Sequence, residues 1–246
     1  MYFSDGYRWF PIEDLPDVPL IRIFFFIDLE DLLLNVNRVC RRFYNLIKFT
    51  PTLWSIFEFY GPLVIKEEDL PYIFQHCRSF RVFNIGYSKY TGGLPAFDFS
   101  SVSKLSCARN LTWLNLCQTS ISTTCFLQFM PNLEILDLST CLNLKDCDFH
   151  AVSLCTKLDS LYISFNEISP KTIRDIVTYI PNIQVLDVCG IHLKYIHVIN
   201  ILDKCYKSLM TFYLSLDSTV HENDFDRFMH FNYTDLAYTV YKPTQS

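Results

Sequence analysis

The chain has few glycines, no Cys-x-x-Cys pair, no apolar run of membrane length and no surplus of positive charge. Each absence removes a class of function. Six glycines in 246 residues leave no glycine-rich loop to cradle a phosphate, and Gly92-Gly93 reads as a turn. The ten cysteines show none of the close pairings that mark zinc or redox motifs. The leading residues, MYFSDGYRWFP, lack the basic stretch, apolar run and small-residue cleavage site of a secretory signal. The cysteines are therefore expected to be reduced and mostly buried, where the thiol behaves as a small hydrophobe. The longest apolar run, Ile23 to Ile27, falls far short of the roughly 20 residues that span a bilayer. A formal charge of −5 supplies no basic footprint for a nucleic-acid backbone. The six histidines stand at no metal-ligand spacing. No catalytic residue, metal ligand or cofactor is expected, although sequence alone does not say which Cys and His meet in space.

Apolar and aromatic material is abundant instead. Half of the residues are hydrophobic and 16% aromatic, a composition that folds around a core rather than staying disordered. Much of this material recurs at a fixed period. Six segments align: SFRVFNI (79–85), NLTWLNL (110–116), NLEILDL (132–138), KLDSLYI (157–163), NIQVLDV (182–188) and SLMTFYL (208–214). Each holds large apolar residues at its second, fifth and seventh places. Successive offsets are 31, 22, 25, 25 and 26 residues, and all but the first lie in the leucine-rich-repeat range of about 20–29. The longer first step, containing GGLPAFDFSS, reads as a loop insertion. Places five and seven are two apart, so in a strand both point to one face.

After each strand such repeats place a polar residue that suits the turn, followed by a further apolar one. Asn166 and Cys141 fit that slot, whereas Thr119–Ile121 and Ile191–Leu193 are expected to keep only the apolar residue. Helical stretches follow. In SPKTIRDIVTYIP (169–181) Ser169 is placed to cap, Pro170 suits the first helical position, and Ile173, Ile176, Val177 and Ile180 recur at helical spacing. Shorter or similar helices are expected over CFLQFMP (125–131) and YIHVINILDKC (195–205). A C-terminal helix with Phe225, Phe228 and Met229, then a last strand, would close the end, leaving 242–246 as a disordered tail. The competing interpretation is an ordinary α/β domain with coincidental spacing. One repeat cannot bury its own apolar face, so stacking of neighbours would build the core of a solenoid.

Residues 15–54 form a different region. Twenty-three of these 40 residues are apolar. The pattern predicts three short helices: about Val18 to Ile27, one starting near Asp28, and about Asn37 to Lys48 burying Val39, Phe43, Leu46 and Ile47. A unit this small rarely covers so much apolar surface without a partner.

This segment resembles an F-box. The resemblance rests on Leu15-Pro16, Ile23 and Ile27, Asp31-Leu32, Val39-Cys40-Arg41-Arg42-Phe43 and Leu53-Trp54, at ungapped spacing. Val18 and Pro19 depart from it, standing where the family often has Glu and an aliphatic residue. F-box motifs followed by leucine-rich repeats resemble substrate receptors of SCF-type cullin-RING ubiquitin ligases. The implied fold is α/β: an F-box over 11–56, then a leucine-rich-repeat domain with C-terminal cap over 57–241. The implied partners are a Skp-type adaptor, cullin through it, and a protein substrate, with ubiquitin transfer left to other subunits. The cytoplasm or nucleus is the expected compartment.

For adaptor binding the resemblance points to Leu15, Pro16, Ile23, Leu32, Val39, Cys40, Phe43, Leu53 and Trp54. Some of these, Phe43 and Trp54 above all, are alternatively internal packing residues. For substrate binding the outward strand positions stand out: Asn84, Asn115, Asp137, Tyr162, Asp187 and Tyr213, with Trp113 beside them. Tyr and Trp are favoured because they are enriched at binding hot spots, and the two Asp residues suit a basic ligand. A merely solvated face remains the alternative for this set. A scaffold whose F-box-like helices only cap the repeats is the alternative for the whole chain.

Overall fold

The computed structural model describes residues 11–58, 80–86, 106–180 and 182–241. The expected loop insertion and the tail at 242–246 lie outside these residues. The chain divides into two compact units, Met1–Ser55 and Ile56–Ser246.

The first unit is helical. A one-turn 3-10 helix, Ile12–Asp14, leads into α1 (Asp17–Phe24), α2 (Leu29–Leu34), a second 3-10 turn (Val36–Arg38), α3 (Arg41–Phe49) and a last 3-10 turn (Pro51–Trp54). Pro19 falls within the first turn of α1, where backbone N–H groups have no intrahelical partner to lose. The first helix is shorter than its apolar run suggests. Beyond Phe24 the chain tightens to three-residue spacing, with Phe26 N donating to Ile23 O and Ile27 N to Phe24 O. The third predicted helix is broken. Cys40 adopts an extended conformation (φ −155°, ψ 166°), and its Sγ accepts the Phe43 N–H at 3.4 Å, which starts α3 after a two-residue break from the preceding turn. Val39 lies in this break and is exposed rather than buried. Among the described residues, the buried apolar side chains of this unit are Leu20, Phe24, Leu32, Phe43, Ile47, Leu53 and Trp54. The Phe24 and Phe43 rings meet edge to face at 5.2 Å, joining α1 to α3.

The second unit is a mixed α/β structure around an eight-stranded parallel sheet. Its strands are β1 (Ile56–Glu58), β2 (Val82–Asn84), β3 (Trp113–Asn115), β4 (Ile135–Asp137), β5 (Ser160–Tyr162), β6 (Val185–Leu193), β7 (Thr211–Leu216) and β8 (Ala237–Val240). Each strand pairs with its sequence neighbours, so spatial order equals chain order. Short 3-10 segments or helices separate the strands from β3 onward. Among them are α4 (Pro170–Tyr179), α5 (Tyr195–Cys205) and α6 (Glu222–Asn232). Ser169 caps α4 by accepting the Thr172 N–H, with Pro170 at its first position.

The second, fifth and seventh places of all six sequence segments are buried. The fifth places share one register: Phe83, Leu114, Leu136, Leu161, Leu186 and Phe212 lie side by side across β2 to β7. Phe57 of β1 extends the row and stacks on Phe83 at 5.1 Å. Each such side chain contributes roughly 1.5–3 kcal/mol by leaving water, so this row is the main apolar spine of the unit.

The turns after the strands repeat too. Gln118, Thr140, Phe165 and Gly190 hold the same slot, and all four have positive φ (60°, 59°, 56° and 77°). Only Gly190 has the residue type that adopts this conformation freely. One position later, Cys141 Sγ donates to Leu116 O and Asn166 Nδ2 to Leu138 O. Thr119 corrects the expectation from sequence: its hydroxyl donates to Leu116 O at 2.7 Å, so this turn does keep its polar residue. Ile191 has no such group to offer. There the chain continues as strand, and β6 runs on to Leu193 past a register shift between Val188 and His192.

Candidate functional site

Two surfaces carry the residues singled out from the sequence. On the helical unit, the position of the leading segment is set by one side chain. Arg42 of α3 donates from Nη1 to Glu13 O (2.5 Å), from Nη2 to Leu15 O (2.6 Å), and from Nε and Nη2 to Asp17 Oδ1 (3.1 and 2.5 Å). The guanidinium spreads its donors over three nitrogens in one plane and so reaches all three acceptors, a geometry that the single nitrogen of a lysine does not reproduce. Arg42 thereby anchors the strand of chain that presents Leu15 and Pro16. In the sequence Arg42 stands only as part of a motif; its role depends on three carbonyl and carboxylate oxygens brought together by the helix packing.

The nine residues expected to meet an adaptor separate into two groups. Pro16 and Val39 are exposed, and Leu15, Ile23 and Cys40 are half-buried. Leu32, Phe43, Leu53 and Trp54 are buried. Trp54 is fixed further by donating from Nε1 to Ile47 O at 2.7 Å. These four therefore belong to the core that holds the helices, not to an open surface, as was the alternative for Phe43 and Trp54. Val39 is 66% exposed, and the exposed apolar surface also includes residues outside the expected set: Phe26 is 91% exposed, Phe49 69% and Val18 65%, with Phe25, Ile12 and Tyr44 also exposed. A stretch this short leaves an unusual amount of large apolar side chain in water. The apolar sweep at Ile23 to Ile27 was the signal that could have pointed to Phe25 and Phe26.

On the sheet unit, register brings the expected outward residues into one row. Glu58, Asn84, Asn115, Asp137, Tyr162, Asp187, Tyr213 and Thr239 lie side by side from β1 to β8. Trp113 is in the parallel row two residues earlier, beside Val82 and Ile135. Asn84 and Asn115 are buried, while Trp113, Asp137, Tyr162, Asp187 and Tyr213 are half-buried.

The polar members of this row also shape the turns. Asn84 Oδ1 accepts the Gly86 N–H (3.1 Å), Asn115 Oδ1 the Cys117 N–H, Asp137 Oδ1 the Ser139 N–H and Asp187 Oδ1 the Cys189 N–H (2.9 Å each). Such Asx turns end a strand and satisfy a backbone donor. Gly86 is required beside Asn115, since a Cβ there would lie 2.2 Å from the Asn115 Oδ1. The sequence showed these residues facing outward; it did not reveal that their side chains bend back onto the backbone.

Burial and neighbouring charge shift several groups. Desolvation raises the Asp137 carboxyl above its ordinary value, the Ser139 hydrogen bonds oppose this, and the Asp187 charge adds to it. Desolvation likewise raises the Tyr162 hydroxyl, with further contributions from Tyr213, Asp137 and Asp187. Burial pushes the Cys141 thiol up to about 11 and the Cys155 and Cys205 thiols to about 12. Thiols of that kind are protonated at neutral pH and make poor nucleophiles. Among the described residues, no group of three His, Cys, Asp or Glu is placed to hold a metal ion. No helix among them is long and apolar enough to cross a membrane.

The helical unit, with the first strand after it, is where the chain is similar to known proteins: the F-box-like family matches residues 12–58. No curated protein matches the chain.

Proposed function

We propose that the chain is a substrate-recognition adaptor of an SCF-type ubiquitin ligase. Residues 11–56 act as the F-box and dock on a Skp-type adaptor, which links the chain to cullin. Residues 57–241 act as a leucine-rich-repeat solenoid with a C-terminal cap and hold a protein substrate. The chain itself performs no catalysis; other subunits transfer ubiquitin, in the cytoplasm, the nucleus or both. One observation carries this reading: the F-box-like match at 12–58 falls on the helical unit, where large apolar side chains, Phe26 and Val39 among them, stand in water. F-box domains generally bind Skp-type adaptors, and an apolar surface of this kind is what such docking would cover.

Within that surface, Leu15, Pro16, Ile23, Val39 and Cys40 are the proposed adaptor contacts, joined by Phe26 and Val18. Leu32, Phe43, Leu53 and Trp54 support them from within. The row Asn84, Asn115, Asp137, Tyr162, Asp187 and Tyr213, with Trp113, is the proposed substrate face. Affinity capture of a Skp-type adaptor by the intact chain tests the first half. Wild type is expected to retain the adaptor, and Leu15→Asp to lose it while circular dichroism of the chain stays unchanged. Equal capture by both proteins would refute the docking assignment. No capture by wild type would favour a scaffold whose F-box-like helices merely cap the repeats.

A further inference from the structure

The row of outward residues contains its own control. Asn84, Asn115, Asp137 and Asp187 occupy equivalent places and make the same bond to the backbone N–H two residues on. An amide oxygen serves that bond as well as a carboxylate does, as Asn84 and Asn115 demonstrate. The negative charges at Asp137 and Asp187 are therefore not needed for the turn. The charge at Asp137 is also costly, because desolvation works against it and the neighbouring Asp187 charge adds to this, while both carboxylates oppose ionisation of Tyr162. Among the described residues, neither forms a salt bridge. The eight strands contain Glu58, Asp137 and Asp187 but no lysine or arginine.

Tyr162 stands between the two carboxylates, one strand from each, and Tyr213 follows on the next strand. With strands about 4.8 Å apart, the two Asp positions are roughly 10 Å from one another. A planar cation lying on the Tyr162 ring would have a carboxylate on either side. Guanidinium suits this better than ammonium, since it stacks on aromatic rings and donates in a fork to carboxylates.

We propose that Asp137, Tyr162, Asp187 and Tyr213 form a recognition ladder for an arginine-bearing segment of a partner protein. This rests on the reading of the sheet face as the substrate site, and it names the chemistry of what binds there.

The test uses the full chain and a fluorescent peptide of alternating arginine and alanine. The same peptide with citrulline in place of arginine keeps the planar shape and one pair of N–H donors but removes the charge and puts a carbonyl where the other amino group stood. Fluorescence anisotropy should show binding of the arginine peptide and at least tenfold weaker binding of the citrulline one. The double variant Asp137→Asn/Asp187→Asn should lose at least tenfold in affinity, with a melting temperature no lower than wild type because Asn preserves both turns. Tyr162→Leu should lose severalfold. A charge-matched control, Asp203→Asn/Asp235→Asn, alters exposed carboxylates off the strands and should stay within twofold of wild type. The proposal is overturned if wild type binds neither peptide, if citrulline binds equally, or if the control variant loses as much as the ladder variant. Adaptor capture by the same preparations is scored separately. Capture without peptide binding sinks the ladder alone, and peptide binding without capture sinks the ligase reading alone.

Discussion

The helical unit and the sheet unit solve the problem of apolar surface in opposite ways. In the sheet, the residue at the centre of each strand is covered by its neighbours, so Phe83, Leu114, Leu136, Leu161 and Leu186 are all fully buried. Each added strand finishes the one before it. In the helical unit Phe24 is buried and packed on Phe43, yet Phe26, two residues on, is 91% exposed. Large apolar side chains elsewhere in the chain also reach water, Met210 and Phe231 for example, but they are spread along a far longer sequence. The contrast separates residues that fold the chain from residues that the fold displays.

Substitutions at Phe24 and Phe26 break or sharpen this contrast most strongly. Phe24→Ala should cost about 4 kcal/mol, because it removes a buried ring and leaves a cavity against Phe43. Phe26→Ser should change stability by no more than about 0.5 kcal/mol. Denaturant melts followed by circular dichroism compare the two, and similar losses would erase the distinction. Next in size is Arg42→Lys, which keeps the charge but not the fork that holds Glu13, Leu15 and Asp17. A loss of about 1 kcal/mol is expected, modest because the group is partly solvated, with faster amide exchange over residues 12–17. Unchanged exchange there would remove Arg42 from its anchoring role.

The smallest effect belongs to the sheet face. Burial raises the Asp137 carboxyl in the folded state. A raised carboxyl holds its proton more tightly when folded, so its favourable contribution is present at pH below the unfolded value and fades as pH rises through the folded one. Asp137→Asn should therefore melt at or slightly above wild type at pH 7, and the gap should close on acidification. A variant that melts clearly lower at pH 7 would mean that the charge supports the fold.

Much of this was legible in the residues. The spacing of apolar places located six strands, and β1 obeys it as well: Trp54, Phe57 and Phe59 in LWSIFEF repeat the second, fifth and seventh places. An expectation that begins the repeats at 79 omits that strand because Leu53-Trp54 also completes the F-box pattern. The break before α3 was less visible, since apolar spacing runs through it and a cysteine cap is not a common helix signal. Burial of Leu32, Phe43, Leu53 and Trp54 was harder still. A motif marks residues that matter without saying whether they face inward or outward, and only the packing of three short helices decides that.

The central claim is that the exposed apolar side chains of the helical unit are a docking face. Calorimetric titration of a Skp-type adaptor into the intact chain, repeated at several temperatures, addresses it directly. The account predicts one-to-one binding with a negative heat-capacity change, the mark of buried apolar surface, and at least a tenfold weaker affinity for Phe26→Ser/Val18→Ser. Binding of undiminished strength by that double variant, or a heat-capacity change near zero, would contradict it.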